Sequence, residues 1–123
     1  MRITLKATNI THTNAIDAYV AKRMRELEKV LEPKEQSQVA RIDIGTTTKH
    51  HKEGKDLYYA EITFHIKKKD FRVAVKSADL YSAIDEMKDG IVRDVKNHHE
   101  RARDLSKDGG RELKTRMRRA KTA

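Results

Sequence analysis

A chain of 123 residues with a formal net charge of +9 has room for one domain with a modest core, and its charge points to a polyanionic partner. It has no cysteine, which excludes disulfides, thiolate zinc sites and cysteine nucleophiles together and fits a cytoplasmic setting. No apolar run approaches the roughly 20 residues of a membrane span, the alternating start MRITLKATNITH is no secretory signal, and the few aromatic residues argue against stacking many unpaired bases.

Residues 2–7 (RITLKA) alternate, with Ile3, Leu5 and Ala7 on one side and Arg2, Thr4 and Lys6 on the other, as in a half-buried strand. Residues 8–13 read as a loop, and Asn14 followed by Asp17 approximates a capping box. From Asn14 to Leu31 the period becomes helical. Ile16, Tyr19, Val20, Met24, Leu27, Val30 and Leu31 share one arc, and Lys22, Arg25 and Lys29 gather near the opposite side. Arg23 falls within the apolar arc, where its stem can cover core edge while the guanidinium reaches outward. Pro33 closes this helix, and residues 34–38 lead to a second strand at 39–47, where Ala40, Ile42 and Ile44 alternate with Arg41 and Asp43.

Residues 48–56 (TKHHKEGKD) are polar, basic and glycine-containing, and read as a loop. Residues 57–66 (LYYAEITFHI) give the strongest strand signal, with Tyr58, Ala60, Ile62, Phe64 and Ile66 on one face. A turn at 67–70 leads to a strand at 71–76 with Phe71, Val73 and Val75 inward, and so short a connection predicts an antiparallel hairpin. Ser77 to Arg103 is again helical: Leu80, Ala83, Ile84, Met87, Ile91, Val95 and Ala102 fall on one arc, with Asp79 placed to cap the start.

The order β-α-β-β-β-α offers one apolar face per strand and one apolar arc per helix. A two-layer α/β (α+β) sandwich buries them all, with a four-stranded sheet and both helices on one face. The first two strands are then joined by a right-handed crossover and run parallel. We divide the chain into a domain at 1–104 and a flexible basic tail at 105–123, which breaks at Gly109–Gly110 and can gain helix on binding. That tail holds seven Lys/Arg against two acids.

Little in the sequence points to catalysis or metal. The histidine pairs His50–His51 and His98–His99 are adjacent, so their rings diverge, and no HExxH is present. His98 lies on the apolar arc and reads as a packed or edge histidine. Asp85 and Asp89 share a helix face beside Lys88, as solvated charge does, and there is no GxSxG, Walker loop or GxGxxG. The chain therefore reads as a non-enzyme without metal, cofactor, small-molecule substrate or membrane partner. What remains is two helices side by side on a sheet, each basic outside its apolar arc. The first offers Lys22, Arg25 and Lys29, with Arg23 at its edge; the second offers Lys88, Arg93 and Lys96, with Arg101 at its border and Lys76 at its entrance. Such an array suits the closely spaced phosphates of folded RNA.

The segments ITHTNAIDAYVAKRMRELEKVL at 10–31 and ADLYSAIDEMKDGIVRDV at 78–95, separated by matching strands, resemble the ribosome hibernation-promoting factors of the ribosome-associated inhibitor, or sigma-54 modulation, family. The second block, with Asp79, Tyr81, Ala83, Ile84 and Asp85 in register, is the more specific. The resemblance covers residues 1 to about 103 and implies the same fold. It also implies binding to the small ribosomal subunit and its 16S-type rRNA, in the channel of messenger and of A- and P-site transfer RNA, blocking initiation and protecting idle ribosomes under stress or in stationary phase. Family RNA contacts map onto Lys22, Arg23 and Lys29, with Arg25 their neighbour, and onto Lys76, Lys88, Arg93 and nearby basic residues. Family members usually carry a lysine where this chain has Gly90 and a glutamine near Asp94. The glycine costs about 1 kcal/mol of helix propensity relative to alanine and would remove a phosphate contact. The tail is too short for the dimerisation domain of long-form members, so the chain resembles a short form, monomeric when free. Two rival readings share the same charge: a free module for duplex or structured RNA acting off the ribosome, and a regulator that binds an acidic protein, as the older family name suggests.

Overall fold

Four apolar strand faces and two apolar helix arcs close on one interior. The computed structural model describes residues 1–47, 57–66 and 68–122, with side chains as far as 105; the loop expected at 48–56 with its His50–His51 pair, and Lys67, lie outside the described residues. Strands β1 (Arg2–Thr8), β2 (Val39–Thr46), β3 (Tyr58–Ile66) and β4 (Lys69–Ser77) form one sheet in that order, accompanied by helices α1 (Asn14–Val30) and α2 (Leu80–Thr122). β1 runs parallel to β2, and β2–β3 and β3–β4 are antiparallel, so the two-layer α+β sandwich and its β-α-β-β-β-α order are as expected. β4 begins at Lys69, two residues before the expected start, because Lys69 and Asp70 continue the ladder opposite Ile66 and His65.

The core joins Ala40, Ile42 and Ile44 of β2 and Ala60, Ile62, Phe64 and Ile66 of β3 to the apolar arcs of the two helices, in which Met24, Leu27, Ile84, Met87, Ile91 and Val95 are fully enclosed. α2 lies over β3 and β4, with α1 beside it. Val73 and Val75 of the edge strand are only partly buried. Ala102, expected on the buried arc, is exposed. α2 continues past Gly109–Gly110 to Thr122, where the sequence reading placed a tail from residue 105. The strong helix formers Glu112, Leu113, Lys114, Arg116, Met117, Arg118, Arg119, Ala120 and Lys121 favour that continuation locally.

The caps set the helix entries. Thr13, not Asn14, is the N-cap of α1: its hydroxyl accepts from the Ile16 amide at 3.2 Å. Asp17 instead pairs with His12. Asp79 caps α2 as expected, accepting from the Ser82 amide at 3.0 Å. After α1, the 3-10 turn Pro33–Glu35 carries a carboxylate inward, where Glu35 accepts from the Glu32 amide at 2.8 Å and lies 2.9 Å from His99 Nε2 of α2. The ring of His98 packs edge-on against Phe71 with centroids 5.4 Å apart, so both α2 histidines are engaged in packing the fold.

Two glycines mark close approaches. At Gly45 a Cβ would sit 2.1 Å from the Thr8 carbonyl oxygen of β1, so a side chain there would part the edge strand from β2. Gly90 is buried against β4, and a Cβ there would lie 2.8 Å from Val73 Cγ1. Position 90 is thus a packing position: a lysine there would start against the strand, and the glycine lets α2 settle onto it. Gly90→Ala should therefore fail to deliver the roughly 1 kcal/mol that helix propensity alone promises. The same change in a Val73→Ala background should recover it, a coupling readable by chemical denaturation of the four-protein cycle. An equal gain in both backgrounds would contradict the packing role.

Candidate nucleic-acid interface

α1 and α2 meet along a polar seam built from two helical spacings. Tyr19 and Arg23, one turn apart on α1, face Asp85 of α2; Glu26, further along α1, faces Lys88, with Asp89 beside it. Tyr19 Oη donates to Asp85 Oδ1 at 2.6 Å, and Arg23 Nη2 donates to Tyr19 Oη at 3.2 Å. Arg23 Nε lies 2.9 Å from the same carboxylate oxygen, without a hydrogen-bond alignment, so this approach is an ion pair. The guanidinium also sits 5.1 Å over the Tyr19 ring and 3.5 Å from Glu26. Tyr19 meets Tyr81 edge to face at 4.7 Å. The bond to Asp85, followed by desolvation, holds the Tyr19 hydroxyl above the usual phenol range.

The second half of the seam centres on Lys88, whose side chain is only 12% exposed. Its ammonium lies 2.6 Å from Glu26 Oε2 and pairs with Asp89 as well. Those two carboxylates, Asp89 first, raise the Lys88 pKa, and the Lys88 ammonium holds Glu26 below the usual carboxylate range.

The nine basic residues singled out in the sequence therefore occupy different places. Lys22, Arg25 and Lys29 are exposed and form one stripe along α1. At 1.5 Å per residue that stripe is roughly 10 Å long. Arg93 and Lys96 are exposed on α2 and line a groove shared with Glu26, Lys88 and Asp89. Arg23, expected to reach outward, is turned into the seam, and Lys88 is drawn into it from the other side. Arg101 is exposed near the outer edge of β4, in a depression it shares with Lys69, Arg72 and Asp94. Lys76 alternates with the inward Val73 and Val75, so it belongs to the sheet face away from the helices.

The acidic members of the seam on α2 are more than the solvated charge their own helix suggests. Asp85 and Asp89 looked like solvated charge on their own helix, yet Asp85 anchors Tyr19 and Arg23 across 66 and 62 positions of chain. The available signal was the i, i+4 pair Tyr19–Arg23 inside an otherwise apolar arc, which calls for a polar partner on whatever element packs there.

The folded pKa of Glu26 lies below its unfolded value, so the stability it contributes is fully present above the usual carboxylate range and is lost as pH falls through the lowered value. Glu26→Gln should accordingly be less stable than the wild type near pH 7, and the gap should shrink below about pH 4. Denaturant melts at pH 7 and pH 3 test this; a gap of constant size would contradict the Glu26–Lys88 assignment.

No curated protein sequence matches the chain. Among solved structures, the N-terminal domain of Thermus thermophilus Protein Y aligns with a TM-score of 0.65 at 29% identity, over 80% of this chain and 99% of that one. A ribosomal subunit interface protein from Coxiella burnetii gives a TM-score of 0.64 at 11% identity, over 81% of this chain and 99% of that one, a likeness of fold alone. The sequence model of the sigma 54 modulation protein / S30EA ribosomal protein family matches residues 3–103, which contain β1 from its second residue, β2 to β4, α1 and the packed part of α2. The chain belongs to the sigma 54 modulation / S30EA ribosomal protein family.

Proposed function

We propose that this protein binds the small ribosomal subunit in the channel of messenger and transfer RNA and inhibits translation there, stabilising idle ribosomes under stress or in stationary phase. The family is one of ribosome-associated modulation factors and not of enzymes. The observation that carries the reading is the exposed basic surface of the helix layer: Lys22, Arg25 and Lys29 on α1, with Arg93 and Lys96 on α2. Cations on a rigid helix pair can meet successive phosphates of folded rRNA without ordering a loop on binding, and their gain comes largely from counterion release. Arg23 and Lys88 have a different task in this account. Paired across the seam, they fix the spacing of the two stripes and leave the outward cations to the RNA.

The ribosome-binding unit is residues 1–104, and the basic stretch 105–123 extends it along the RNA path. The protein acts as a cytoplasmic monomer, with rRNA as the dominant partner.

Replacing Lys22, Arg25 and Lys29 together with Glu should abolish co-sedimentation with purified small subunits while leaving the thermal melt unchanged. In the wild type, the dependence of log affinity on log salt should be steep, with each phosphate contact adding roughly 0.7–0.9 to the slope. A folded triple variant that still travels with the subunit would overturn the helix surface as the site. Equal binding to any RNA, lost at moderate salt, would favour a free RNA-binding module instead.

A further inference from the structure

The helices cover one face of the sheet. On the other face the alternate side chains point away from the core: Thr4 and Lys6 of β1, Arg41 and Asp43 of β2, Glu61 and Thr63 of β3, Arg72 and Lys76 of β4. The register sets Thr4 beside Arg41, Arg41 beside Thr63, and Thr63 beside Arg72, one row crossing all four strands. At the usual strand spacing this row spans roughly 14 Å. Two shallow depressions meet at Arg41 and Thr63, one opening toward Lys6 and Thr4, the other toward Arg72 and His65.

The charges on this face are not mutually cancelled. Asp43 accepts from the Thr8 and Tyr59 hydroxyls at 3.2 and 3.1 Å, Glu61 from Arg72 Nε at 2.8 Å, and Asp70 pairs with His65. Lys6 lies beside Asp43 in register, yet among the described residues neither it nor Arg41 nor Lys76 forms an ion pair. Arg72 keeps a side chain that is 69% exposed. Asp43 is thus satisfied by neutral hydroxyls, and Glu61 and Asp70 by basic side chains of the sheet, while among the described residues Arg2, Lys6, Arg41 and Lys76 of this face have no ion-pair partner.

We propose that this open sheet face is a second contact surface for RNA backbone, so that one domain holds two RNA segments, one against the helices and one against the sheet; the proposal rests on the ribosome-binding reading above. Guanidinium and ammonium groups interleaved with Thr4 and Thr63 hydroxyls are donors for phosphate and ribose oxygens. The rings on this face are tied in place, Tyr59 by its hydroxyl to Asp43 and His65 to Asp70, so the surface contacts backbone and does not stack bases. A second copy of the chain is a poor occupant, because two such faces, each with more Lys and Arg than Asp and Glu, would repel one another.

The test compares the full-length Lys6→Glu/Arg41→Glu protein with the helix-face triple variant in titrations against purified small ribosomal subunits between 50 and 200 mM salt. Thermal melts confirm folding, and Lys6→Gln/Arg41→Gln replaces the first variant if Glu disrupts the sheet. The sheet-face variant should bind at least about tenfold more weakly, with a salt slope lower by roughly 2, or lower by roughly 1 if only one cation meets a phosphate. Wild-type affinity and slope in this variant, with loss in the helix-face variant, would overturn the sheet surface alone and leave the ribosome reading standing. Weakened binding with an unchanged salt slope would mark a protein contact on this face and overturn RNA as its occupant. Failure of the wild type itself to bind would overturn the ribosome reading and this inference with it.

Discussion

The arrangement depends on the seam where Tyr19 and Arg23 meet Asp85 and where Glu26 meets Lys88. Apolar contacts alone would hold two helices on the sheet, but they are non-directional and tolerate sliding. A carboxylate shared by a phenol and a guanidinium accepts one geometry, and the Lys88 bridge repeats the constraint one turn further along. Because the seam is only partly withdrawn from water, its pairs escape the full desolvation penalty of buried ions while keeping more than the small worth of a surface pair. The seam also sorts the cations. Two are neutralised inside the fold, and those left outward on α1 and α2 lie on surfaces of fixed separation.

The sheet plays the complementary part. Its period-2 pattern gives one face to the core and the other to solvent, and among the described residues Lys6, Arg41 and Lys76 on that outer face form no ion pair. Glycine operates at both layers: Gly45 lets β1 close on β2, and Gly90 lets α2 close on β4. A thin domain with both sides presented suits a partner that surrounds it, as the RNA walls of a ribosomal channel would.

Much of this was legible in the sequence. The alternation of Ile3, Leu5 and Ala7 and of Tyr58 to Ile66, and the 3.6-residue period of Ile16 to Leu31 and Leu80 to Val95, reflect burial, and burial is periodic in local sequence. The fold followed because few layer arrangements bury those faces. What escaped was pairing at long range. Nothing near Arg23 says that Asp85 will stand opposite it, so a cation on an apolar arc was read as reaching for solvent. Gly90 was read as a missing side chain because propensity is a property of one helix, whereas its reason lies on Val73. Lys76 was placed with the helices by proximity in sequence, although strand alternation sends it to the other face. Thr13 and Asn14 are both good caps, and one-residue offsets at a helix start are decided by backbone geometry that composition does not fix.

The absence of cysteine makes a direct measurement simple. Ala21 is exposed beside the α1 stripe, so Ala21→Cys supplies a single attachment point for an iron chelate that generates hydroxyl radicals in place. With the labelled protein bound to small subunits, strand cleavage is expected in the rRNA lining the messenger and transfer RNA channel. Stable binding with no cleavage, or with cleavage confined to rRNA outside that channel, would contradict it.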